Sequence, residues 1–150
     1  MFALMIVKPG HLLIEETDDY TGISESVLVF INPKLKFKES FCRAWEDGFM
    51  ILTKMGLTAS QYTILLIFIA QMEYENFCYI TQSYISEQTG IAQPNVSKNI
   101  NAMAKVGLLF KEDTKRGKSI RVSSVIAWKG TKNKAFREAF AKDSEALIIP

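Results

Sequence analysis

The sequence predicts an α+β fold that is mainly α, and three observations predict it. Two helix-period segments meet at Gly90, and the second ends at Gly107. A strand-period hairpin follows at once, with Gly117 near its tip. Upstream, residues 2–36 are rich in β-branched and aromatic residues broken by turn chemistry. The 150 residues, 48% of them hydrophobic, suffice for one domain with decorated ends.

The elements follow in chain order. Val27 to Ile31 reads as a strand that Asn32-Pro33 ends, and Leu12 to Ile14 is its candidate hairpin partner. Asp18, Asp19 and Thr21-Gly22 supply the turn between them. A helix is expected over Lys38 to Lys54, since Phe41, Trp45, Phe49 and Leu52 make one apolar stripe, and Gly56 ends it. Thr58 with Gln61 is a capping-box pattern, and the helix body Tyr62 to Met72 is apolar nearly all round, hence central. The expected segments are 1–57, strands and an aromatic helix; 58–130, the main unit; and 131–150, a C-terminal helix and tail.

The stretch from Tyr79 to Val122 carries the functional signal. Thr81 is a good N-cap for a short helix, Gln82 to Thr89, with Ile85 facing inward and Ser86 small enough for a second helix to approach. Gly90 is free to adopt the left-handed conformation that ends this helix, and Ile91 plugs the turn beneath it. The second helix runs from Gln93 to about Val106, with Pro94 in its first turn. Val96, Ile100 and Met103 make its inward stripe and leave Gln93, Asn95, Ser97, Lys98 and Asn101 outside. Amide side chains bond bidentately to adenine edges and lysine reaches guanine or phosphate, so this face suits a major groove. Leu108 to Lys111 is a strand, residues 112–118 a polar turn, and Ile120 and Val122 alternate with Arg121 on the return. Helix, turn, helix and hairpin in this order make a winged helix-turn-helix. Lys115, Arg116 and Lys118 at the wing tip are expected on the phosphate backbone or in the minor groove. Pro94, Gln82 and Arg121 complete the candidate DNA contacts.

Charge agrees with this placement. Residues 1–78 carry 6 Lys/Arg and 10 Asp/Glu, whereas residues 79–142 carry 12 Lys/Arg and 4 Asp/Glu. A basic half on a chain of net charge +2 is the footprint of a localised polyanion site. A solvated basic face without a partner would give the same count.

Other classes find little support. No loop has the glycine and lysine spacing that cradles phosphates, no acidic cluster is spaced for two metals, and His11 lacks a Ser or Cys partner. Tyr62, Tyr79 and Tyr84 read as core or capping residues. The chain is therefore expected to be no enzyme and to need no cofactor or metal. Cys42 and Cys78 sit among apolar neighbours and are expected to be reduced. Met1 to Val7 lacks the flanks of a signal peptide. The longest apolar run, Ile64 to Ala70, falls far short of the ~20 residues of a membrane span. A soluble, cytoplasmic protein is the expectation.

Two resemblances attach to these residues. Ile91-Ala92-Gln93-Pro94-Asn95-Val96-Ser97-Lys98 resembles the reader-helix start of winged bacterial regulators of the MarR and ArsR type, with Ala92 where a capping serine is common. Leu13-Ile14-Glu15-Glu16-Thr17, the aromatic helix around Trp45, the winged unit and Ala127-Trp128-Lys129-Gly130 with its following helix resemble the RepL family of plasmid replication proteins. That family has Asn-Pro where Ser123-Ser124 stands here. This second resemblance implies binding to plasmid or phage DNA to start or control replication, with host replication proteins as candidate partners. A transcription regulator of the same fold, and a winged protein-interaction module, are the competing expectations. The C-terminal helix, Lys132 to Ala146, puts Phe136, Ala139 and Phe140 on one side, for packing or for a homodimer on a two-fold DNA site.

Overall fold

The structure, a computed structural model, describes the backbone of Phe2–Lys8, His11–Thr17 and Ser24–Phe30, and residues 42–150 with their side chains. The chain divides into two compact units at Ser40 and Phe41.

The first unit contains β1 (Phe2–Lys8), β2 (His11–Thr17) and β3 (Ser24–Phe30) in an antiparallel sheet of order β1-β2-β3. Leu4 pairs with Ile14 and Ile14 with Val27, so the expected hairpin is present. Asp18, Asp19, Thr21-Gly22, Asn32-Pro33 and the helix start expected at Lys38 lie outside the described residues.

The second unit opens with β4 (Arg43–Ala44), which pairs with β8 (Ala127–Trp128). Helix α1 (Glu46–Lys54) is shorter than its sequence stripe predicts. Trp45 is its N-cap, and the Trp45 backbone N–H donates to the Ile126 carbonyl while Nε1 donates to the Ser124 carbonyl at 2.8 Å. Arg43 and Ala44 are thus spent on β-pairing and cannot be helical. Leu52 is buried, but Phe49 is 52% exposed, so the expected stripe is only partly inward.

Helix α2 (Ala59–Gln71) starts at the expected capping box: Thr58 accepts from the Gln61 N–H, and Gln61 accepts from the Thr58 N–H. Ile64, Leu65 and Phe68 are central to the core, whereas Leu66 faces out. A 3₁₀ turn (Tyr74–Asn76) and β5 (Phe77–Cys78) lead to α3 (Gln82–Thr89), which Thr81 caps by accepting from the Tyr84 N–H. Gly90 has φ 71°, the left-handed turn that the sequence requires there. Helix α4 (Gln93–Lys105) buries Val96, Ile100 and Met103. Strands β6 (Leu109–Thr114) and β7 (Gly117–Val122) form the wing, and the sheet order is β5-β7-β6. The wing tip is tighter than expected: Thr114 pairs with Gly117, leaving only Lys115 and Arg116 between the strands.

Helix α5 (Lys134–Ala146) starts two residues later than expected because Asn133 takes the capping role, accepting from the Phe136 N–H. Phe136 packs edge-on to Trp128 at 5.2 Å and near Trp45 at 5.9 Å. The second unit is a mainly helical winged helix fold, α+β in class. Among the described residues, no helix is long and apolar enough to cross a membrane.

Candidate nucleic-acid interface

The face of α4 opposite Val96, Ile100 and Met103 is open. Gln93, Pro94, Asn95, Lys98 and Asn101 are exposed, and Ser97 is half-buried. No side chain caps α4 at Ala92; the Asn95 and Val96 N–H groups donate to the Ala92 carbonyl instead. Gln82, at the start of α3, is half-buried, and its neighbour Ser83 lies within reach of Gln93 (3.5 Å). The turn between the helices is fastened internally. Ser86 Oγ donates to the Ile91 carbonyl at 2.7 Å, and Thr89 Oγ1 accepts from the Ile91 N–H. Ser86 therefore does more than leave room for a second helix.

Beside α4 stands the wing. Lys115, Arg116 and Lys118 are exposed around its tip. Arg116 is not extended into solvent: its guanidinium lies 3.9 Å from the Tyr79 ring centroid and donates to Glu73. The hydrogen bond to Glu73 raises the Arg116 pKa above its usual range. Tyr79 is held in turn by a 3.3 Å hydrogen bond with Thr114.

Sequence reasoning missed Lys111. It is exposed on β6, and its Nζ donates to Asn101 Oδ1, so it joins the wing base to the reader helix. Its alternation with half-buried Phe110 was the available signal. An open cleft of about 600 Å³ lies between the hairpin and α3, with Lys111, Lys118 and Gln82 among its walls and Ile85 and Ile100 at its apolar floor.

Arg121 does not belong to this surface. It is buried, and Nη1 and Nη2 bind both oxygens of Asp143 at 2.8 and 2.7 Å. Nε donates to Glu112 at 2.8 Å. Burial disfavours the charge, but hydrogen bonds to Asp143 and Glu112 outweigh that and raise the pKa. Strand alternation correctly turned Arg121 away from Ile120 and Val122. The face it points to is covered by α5, which local pattern does not reveal.

Taken together, an exposed amide-rich helix stands next to a short basic hairpin on one helix-turn-helix scaffold. Residues 55–118 match the MarR family. Among curated proteins, none matches the chain. The MarR-type segment runs from the end of α1 through α2, α3, α4 and β6 to Lys118 at the wing tip. Most of the return strand and all of α5 lie beyond it.

Proposed function

We propose that this chain is a sequence-specific double-stranded DNA-binding protein that regulates transcription, and that it acts without chemistry of its own. The exposed face of α4 carries the proposal: Gln93, Asn95, Lys98 and Asn101 present amide and ammonium groups at the reach of base edges. The wing lysines and Arg116 supply sequence-independent phosphate contacts. The MarR-type segment supports a regulator more than it supports the replication role that the RepL resemblance implies. A homodimer on a two-fold site is part of the proposal, because pairing two reader helices is the usual route to a palindrome.

A salt titration of duplex binding tests the reading. Each phosphate contact contributes about one unit to the slope of log affinity against log salt. Lys115→Ala, Arg116→Ala and Lys118→Ala together are expected to flatten that slope by roughly 2–3 units. The ranking among duplexes should stay nearly unchanged. An unaltered slope would shift the reading to a protein-interaction module. Mapping bound fragments on the parent replicon then separates promoter from origin.

A further inference from the structure

We propose that α5 is a clamp that sets the wing against the reader helix, with Asp143 as its positioning residue; the proposal rests on the DNA-binding reading above. Asp143 is fully buried near the end of α5, and its carboxylate accepts four hydrogen bonds. Two come from Arg121, and two from the Ser124 N–H and hydroxyl at 2.8 and 2.7 Å. Arg121 carries the connection onward through Nε to Glu112, with its guanidinium 4.6 Å from the Phe110 ring centroid. One ion-paired group therefore ties α5 to β7 and to β6, the two strands of the wing. A buried pair of this kind is a modest source of stability, yet it is costly to break, so it fixes a geometry.

The same helix reaches the other half of the site. The Ile148 N–H donates to the Val106 carbonyl at the end of α4. Gly107 lies so close to the chain that a Cβ there would stand 2.5 Å from the Ala146 carbonyl oxygen. Ala146 and the tail that follows α5 thus meet Val106 and Gly107, the residues that end the reader helix, while Asp143, three residues before Ala146, holds the wing. Whatever displaces α5 alters both DNA-contacting parts together, and it does so from outside the MarR-type segment.

The test compares the unaltered chain with Asp143→Asn, using a duplex selected from a random pool for binding the unaltered chain and a scrambled duplex across a salt series, at a temperature where circular dichroism shows both proteins folded. Asp143→Asn removes the charge and one acceptor but keeps the shape. The expected result is a salt slope lowered by about 2–3 units, the wing's share, with little further change when the three wing substitutions are added. A role in stability alone would lower the active fraction and leave the slope intact. An unchanged slope, or full additivity with the wing substitutions, overturns the proposal. Should Asp143→Asn fail to fold, deletion of 147–150 tests the reader end. Discrimination against the scrambled duplex is then expected to fall roughly tenfold with the slope preserved. Unchanged discrimination overturns the clamp. Absence of salt-dependent binding by the unaltered chain would instead sink the DNA-binding reading itself.

Discussion

Glu73 holds Arg116 at the wing tip. The carboxylate lies just beyond the end of α2 and the guanidinium in the two-residue turn of the hairpin, so the pair spans 43 positions of sequence. Both side chains are more than half exposed, so the pair adds little to folding. On the proposed DNA-binding reading its importance is competitive, because a phosphate would have to take the guanidinium from Glu73. Glu73→Gln is expected to tighten binding to every duplex by about twofold to fivefold and to steepen the salt slope. In an Arg116→Ala background the substitution should have almost no effect. Equal gains in both backgrounds would show that Glu73 acts only by general repulsion.

On α4, Asn95 and Lys98 are exposed. Asn95→Ala or Lys98→Ala should weaken specific binding by about 1–3 kcal/mol and non-specific binding far less. Competition assays with specific and scrambled duplexes measure both. Equal losses on the two would place these residues on the backbone rather than on base edges.

Gly90 and Gly107 share a left-handed backbone but not an environment. At Gly90 no atom stands within 4 Å of a would-be Cβ, so Gly90→Ala is expected to cost only the backbone penalty, about 1–2 kcal/mol. Gly107 adds a collision with the Ala146 carbonyl. Gly107→Ala should therefore destabilise clearly more than Gly90→Ala in thermal or denaturant unfolding. Equal losses would mean that the end of α5 yields freely.

The Cys78 thiol is buried, and burial first, with Glu73 adding to it, pushes its pKa from 9.0 up to about 12. The unfolded chain therefore loses this proton at lower pH than the folded chain. The stabilising contribution is complete below about pH 9 and disappears as pH rises towards 12. Comparing denaturant midpoints of the unaltered chain and Cys78→Ala isolates it from other titrations. The gap between them should narrow above pH 9, and a constant gap would refute the assignment.

The sequence made local structure legible where one residue decides it. Thr58, Thr81, Gly90 and Gly107 set element ends by their own backbone and capping chemistry, and the structure places those ends where that chemistry requires. The inward stripe of α4 was legible for the same reason, since period alone determines it. What escaped depends on partners far away in the chain. Trp45 reads as a helix residue until Ile126 and Ser124 claim it. Arg121 reads as a solvent-facing wing cation until Asp143, 22 positions later, covers it. Arg116 reads as a basic wing-tip residue, but nothing near it in sequence points to Glu73.

Asn76 has a consequence of another kind. It is fully buried with φ 68°, a conformation that asparagine tolerates better than most residues. Its Nδ2 donates to the carbonyls of Val122 and Ala127, and its Oδ1 accepts from the Lys129 N–H at 2.8 Å. A single amide thus ties the end of the wing to the segment that follows β8. In hydrogen exchange, the Lys129 amide should be protected like a core amide although it belongs to no helix or strand. Its exchange rate then times the parting of these segments, a motion that can be followed with no label and no DNA.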